Sequence, residues 1–220
     1  MTPRVSFAHE LEILNSNLSE MGALIEAAID KVIQAFKDSD GTLAQEIIQG
    51  DRTINDMERV IEARCLSLIL RQQPVAKDLR VVTTALKVVT DMERIGDHAA
   101  DISELILRNS FKSNYELVKA IPKMAEVAKE MVHKSVEAFI QCDVTAARET
   151  MKMDDLVDDL FNQVKQDVIH EMREHTDNAD GYIDILMIAK YMERIGDHAV
   201  NICEWTEFHM TGALNNVRIL

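Results

Sequence analysis

The sequence predicts an all-α protein: two tandem homologous three-helix bundles, six long antiparallel helices related by an internal pseudo-twofold repeat. The first observation behind this is a repeat. Residues 92–99 read Met-Glu-Arg-Ile-Gly-Asp-His-Ala, and the same eight letters return at residues 192–199. The match extends to Ile102 and Ile202 and to Glu104 and Glu204. Upstream, Ala35-Phe36 answers Ala138-Phe139 and Asp51 answers Asp154, now at an offset of 103 rather than 100, so the second copy has a shorter connection between these blocks. The second observation is composition: 47% hydrophobic residues, 5% aromatics, three prolines and seven glycines favour helix over a turn-rich sheet. The third is apolar residues recurring at helical spacing along both copies. The halves are expected to be residues 1–111 and 112–220.

The first helix runs through Leu11, Leu14, Leu18, Met21 and Ile25, then Ile29, Val32, Ile33 and Phe36, and Asp38-Ser39-Asp40-Gly41 ends it with turn chemistry. A second carries Leu43, Ile47, Ile54, Met57, Ile61, Cys65 and Leu68 on one stripe, and stops near Gln73 because Pro74 disfavours a helical residue before it. A third starts near Val75 and passes Leu107. In the second copy, Ser113 with Glu116 reads as a capping box, and Pro122 fits a first turn or a kink. Asp143 punctuates before the fifth helix, and Asp177-Asn178-Ala179-Asp180-Gly181 separates fifth from sixth. Helices of about 30 residues exceed the usual 11–12, a length that long antiparallel bundles accommodate.

Composition also excludes functions. A net charge of −14 disfavours nucleic acid, whose phosphates attract concentrated Lys and Arg. Cys65, Cys142 and Cys203 have no CxxC spacing, which points to free thiols in a reducing compartment rather than disulfides or a zinc knuckle. No signal peptide and no membrane span are expected, so the expected location is cytoplasmic.

The octapeptide places Glu93 and Asp97 four apart on one helix face, and Glu193 and Asp197 likewise. Like charges at that spacing repel, and a bound cation would offset the repulsion. Facing partners stand on the neighbouring helices: Asp51 and Asn55 in the first copy, Asp154 and Asp158 in the second, with Asp155 and Asp159 beside them. A set of hard oxygen donors suits Mg, Mn, Fe or Zn; a solvated acidic face is the plainer reading. Gly96 and Gly196 cost helix stability, which fits close approach of a helix or ligand or tight packing alone. Arg94 and Arg194 cannot ligate a cation and are expected to neutralise carboxylates by bidentate hydrogen bonds. His98 and His198, five residues after the glutamates, point away from that face.

The twice-present Glu-Arg-Ile-Gly-Asp, together with Arg71-Gln72-Gln73-Pro74-Val75-Ala76-Lys77-Asp78-Leu79-Arg80 and Gly50-Asp51, resembles the PhoU family of phosphate-transport accessory proteins over essentially the whole chain. The resemblance implies metal clusters on Asp51-x-x-x-Asn55 and Glu93-x-x-x-Asp97 in the first bundle. In the second it implies them on Asp154-x-x-x-Asp158 and Glu193-x-x-x-Asp197. Asp101 and Asn201 occupy positions where the family often has a polar side chain. It further implies a non-enzymatic negative regulator of phosphate uptake and of the phosphate-starvation response. The implied partners are the ATPase of the phosphate ABC transporter and a phosphate-sensing histidine kinase, with a homodimer as the expected assembly. Asn55 departs from the motif, where the family has Asp. Its amide oxygen brings no charge, so the second site is expected to bind metal more tightly.

Two other readings compete. A metal-free helical adaptor would keep the fold with merely structural acids. A di-iron bundle enzyme needs two Glu-x-x-His motifs, whereas the chain has one, Glu130-Met131-Val132-His133, and no P-loop or dinucleotide fingerprint.

Overall fold

The computed structural model describes residues 3–108, 119–175, 178–214 and 217–218. Its helices are α1 (Pro3–Asp38), α2 (Gly41–Gln72), α3 (Lys77–Arg108), α4 (Ala120–Gln141), α5 (Val144–Met151), α6 (Asp154–Glu174) and α7 (Ala179–Thr211). After them comes a two-residue antiparallel ladder, β1 (Ala213–Leu214) with β2 (Val217–Arg218). The all-α architecture and the internal repeat are as the sequence predicts. The Ser113–Glu116 capping box and the boundary between residues 111 and 112 lie outside the described residues.

Equivalent residues punctuate both copies. Asp40 and Asp143, 103 positions apart, each cap the following helix by accepting hydrogen bonds from two backbone N–H groups, those of Thr42 and Leu43 and those of Thr145 and Ala146. The residues before them, Ser39 and Cys142, share the left-handed conformation, with φ of 51° and 58°. Pro122 sits in the first turn of α4, where its missing N–H costs nothing. The middle helix of the second copy departs from expectation: it breaks into α5 and α6 at Lys152-Met153, where α2 runs straight through Gln49-Gly50. The break puts Asp154 and Asp155 in the first turn of α6, at the positive end of a helix dipole.

Each bundle buries its apolar stripes, and the two then close over one shared core. On α1, Leu14, Leu18, Met21, Ile25 and Ile29 are almost fully buried, each worth about 1.5–3 kcal/mol of hydrophobic transfer. The bundles lie side by side, α1 against α4 and α3 against α7, both pairs antiparallel. Residues equivalent by the repeat exchange partners across these seams, as an isologous interface requires. Glu26 accepts from His133 at 3.0 Å and Asp30 from Lys129 at 2.6 Å; the repeat maps Glu26 onto Lys129 and Asp30 onto His133. The first copy contributes the acids and the second the bases. The rings of His98 and His198 meet at 5.5 Å in the α3/α7 seam, so the internal twofold passes between them.

Candidate functional site

Gly96 and Gly196 are where the octapeptide meets the middle helix of its bundle. A Cβ on Gly96 would lie 3.0 and 3.1 Å from two carbons of Ile54 and 3.4 Å from Asp51 Oδ1. On Gly196 it would lie 3.2 Å from Asp154 Oδ1 and 3.6 Å from a Val157 methyl. Glycine therefore admits both a neighbouring helix and a carboxylate oxygen. Asp51 Oδ1, Asn55 Oδ1 and Asp154 Oδ1 are buried without a hydrogen-bond partner, an arrangement that leaves acceptors in need of a donor or a cation.

In the first bundle, Asn55 donates Nδ2 to Asp51 Oδ2 at 2.8 Å, turning its own Oδ1 inward unpartnered. Arg94 bridges the α3 acids, with Nη1 2.9 Å from Asp97 and Nε 3.5 Å from Glu93. It divides its guanidinium between two carboxylates rather than gripping one bidentately. Burial pushes the Asp51 carboxyl above its usual range, and the charges of Asp97 and Asp101 push it further, against the Asn55 hydrogen bond. Glu93 is raised by burial and by Asp97, with Arg94 opposing. The sequence reading missed Glu58, whose carboxyl is raised by burial, then by Glu62, and more weakly by Asp97, so it borders the same group. Its spacing of seven from Asp51 put it on the same face and was the signal available. A cleft of about 170 Å³ between α1 and α2 reaches Asp51 and Gly96 from solvent.

The second bundle answers the same geometry differently. Asp154 is raised from 3.8 to about 6 by burial, then by Asp158, Asp197, Glu193 and Asp155. Asp197 is raised by burial and by Glu193, with Lys190 opposing. Here the neutralising cation is Lys190, which donates to Glu193 and lies 5.4 Å from the centre of the Phe161 ring. Arg194 instead stacks over Tyr191 at 5.8 Å, so the neutralising role expected of it passes to Lys190. Thr90 and Glu58 hold the places of Lys190 and Phe161 in the first copy.

Asp101 stays at the edge of the first group, bonded to His98 at 3.3 Å and felt electrostatically by Asp51. Asn201 does not join the second: it donates to Asp91 across the bundle seam at 3.1 Å, beside His198 at 2.8 Å on the same oxygen. The octapeptide histidines meet in that seam and bond Asp101 and Asp91 rather than the Glu/Asp pairs of their own octapeptides. Among the described residues, no three His, Cys, Asp or Glu side chains stand together in a ready-made metal-holding group. The oxygen donors present, three of them buried and unpartnered, nonetheless suit a hard cation, with Arg94 and Lys190 as its competitors.

Fold and site together define a duplicated helical-bundle protein with one oxygen-rich carboxylate group per half. The PhoU domain family model matches residues 18–106 and 121–206. The chain is 38% identical over 213 residues to the phosphate-specific transport system accessory protein PhoU homolog of Clostridium acetobutylicum, covering 96% of this chain and 97% of that one. It is 30% identical over 206 residues to PhoU of Escherichia coli, covering 94% and 86%. The crystal structure of PhoU from Pseudomonas aeruginosa superposes with a TM-score of 0.87 at 31% identity over 94% of this chain and 100% of that one. That of the Streptococcus pneumoniae phosphate transport system regulatory protein PhoU gives 0.88 at 27%, over 94% and 98%. The chain belongs to the PhoU family.

Proposed function

We propose that this chain is an accessory regulator of phosphate transport that restrains uptake and the phosphate-starvation response when phosphate is plentiful. It acts from the cytoplasm as a binding protein, through contact with the transporter ATPase and a phosphate-sensing histidine kinase, and assembles as a homodimer. The observation that carries this reading is similarity over nearly the whole chain to proteins named as accessory to phosphate-specific transport. No described helix is long and apolar enough to cross a membrane, which is compatible with a partner-borne role. Deletion of the gene, with a starvation-response reporter read at high phosphate, tests it. The reporter should be derepressed; unchanged repression contradicts the reading.

Asp51, Asn55, Glu93 and Asp97 would hold a metal ion in the first bundle, and Asp154, Asp158, Glu193 and Asp197 in the second. Iron, zinc, manganese and magnesium all suit these donors. Bound, the ion would supply positive charge among acids that otherwise repel. The glycines leave room for Asp51 and Asp154, and the raised carboxyls mark where negative charge is least welcome. The pairing of Arg94 and Lys190 with the same acids favours a second reading, a metal-free adaptor. Metal content of the purified protein, compared with Glu193→Gln, separates the two: equal content in both supports the adaptor.

A further inference from the structure

Among the described residues, the α2–α3 turn joins exposed apolar side chains to an excess of cations. Leu66, Leu70, Val75 and Leu79 are 54%, 78%, 73% and 37% exposed, the densest run of uncovered large apolar side chains among the described residues. Leu66 and Leu70, four apart, share one face at the end of α2. In a chain of net charge −14, residues 65–80 carry Arg71, Lys77 and Arg80 against the single acid Asp78. None of the three cations has an acidic partner among the described residues, and Arg80 Nε is buried with no hydrogen bond. His209 lies near Arg80 and Lys77, and its burial followed by their charges lowers its pKa, so the side chain packed beside these cations brings them no negative charge. Two non-glycine residues on either side of Pro74–Val75, Gln73 and Ala76, hold positive φ of 45° and 47°, a costly backbone that shapes the turn.

The repeat supplies an internal control. Arg173 stands where the first copy has Leu70, followed by Glu174 and His175, so the matching end of α6 carries charge there, while Ile169 keeps an exposed apolar side chain in the place of Leu66. Because the bundles are antiparallel, that end lies at the opposite pole of the molecule. That pole also exposes Ile169, Ile183 and Met187, but its Arg173 stands among Glu171, Glu174 and Asp180. Among the described residues, excess cations therefore accompany the exposed apolar side chains at the α2–α3 pole and not at this one.

We infer that the α2–α3 turn is a docking tip for an acidic segment of a partner protein, whose apolar side chains cover Leu66, Leu70, Val75 and Leu79 while its carboxylates meet Arg71, Lys77 and Arg80. Charge complementarity selects this occupant. An anionic membrane would meet the same three cations but also the strongly negative remainder of the molecule, whereas a protein segment engages the tip alone. The tip is thus where the partnership proposed above would be made, and the inference rests on that reading.

The test measures binding of purified phosphate-transporter ATPase to the full chain by titration, with phosphatidylglycerol vesicles as a parallel arm. Leu70→Glu should weaken ATPase binding at least about tenfold. Lys77→Glu should weaken it severalfold and flatten its salt dependence. Ile183→Glu, at an exposed apolar position in the second bundle, should leave it unchanged, and all variants should keep wild-type helicity. Wild-type binding with undiminished Leu70→Glu binding overturns the docking tip and spares the partnership. Absence of wild-type binding overturns both. Vesicle binding that Leu70→Glu abolishes while ATPase binding persists overturns the protein occupant in favour of lipid.

Discussion

Two stretches of this protein, residues 92–99 and 192–199, are identical in sequence and unlike in what surrounds them. In the first bundle Arg94, inside the octapeptide, bridges Glu93 and Asp97. In the second the identical Arg194 stacks on Tyr191, and Lys190, outside the octapeptide, pairs with Glu193. The difference originates on other helices and in other positions: Glu58 against Phe161, Thr90 against Lys190, Asn55 against Asp158. A repeated motif therefore specifies which carboxylates converge, while its neighbours decide how their charge is balanced.

The glycines give the largest expected contrast. Gly96→Val forces a Cβ within 3.0 Å of Ile54, and the overpacking should cost about 2–3 kcal/mol in urea denaturation. Gly196→Val meets a Val157 methyl at a looser 3.6 Å and the end of a carboxylate, so it should cost about 1 kcal/mol less. Equal losses would mean that the two helix crossings are equally tight.

A smaller effect comes from Asp154, whose folded pKa of about 6 stands above its ordinary 3.8. The folded state holds that proton more tightly than the unfolded one. The resulting stability is complete below pH 3.8 and is lost as pH rises through about 6. Asp154→Asn cannot ionise, so in chelator-treated protein it should gain on the order of 1 kcal/mol over wild type near pH 7, after allowing for solvent screening, and nothing at low pH. Asp51→Asn should follow the same sign, since Asp51 is also raised. A gain that grows as pH falls would reverse the assigned cause.

Smallest are the cations. Lys190→Met leaves Glu193, 13% exposed, beside Asp197 without its partner and should cost about 0.5 kcal/mol without metal. Arg94→Met, at a side chain 56% exposed, should cost less. Thermal melts at low and high salt read both, and salt should shrink the differences.

The sequence disclosed the duplication, the helical stripes, the punctuation at Asp40 and Asp143 and the close helix approach at Gly96 and Gly196, because each is written in local spacing or in identity between copies. That Asp40 and Asp143 are N-caps, and that Asp51 and Asp154 are the acids beside the glycines, emerged from the packing. The sequence did not disclose the break at Lys152-Met153, where no Pro or Gly interrupts the helical pattern. Nor did it disclose the exchange of Arg194 for Lys190, since both lie within reach of Glu193 and only tertiary packing against Tyr191 and Phe161 separates them. The seam of Asp91, His198 and Asn201 was hidden for a similar reason: it joins residues more than a hundred positions apart on helices whose mutual orientation no local pattern encodes.

Manganese titration of chelator-stripped protein tests most directly whether the carboxylates of each half act as one oxygen-donor group. Wild type should show two classes of site. Asp154→Ala with Glu193→Ala should remove the tighter class and Asp51→Ala with Glu93→Ala the weaker. A wild type that binds no manganese, or double variants that bind it as wild type does, would contradict the account.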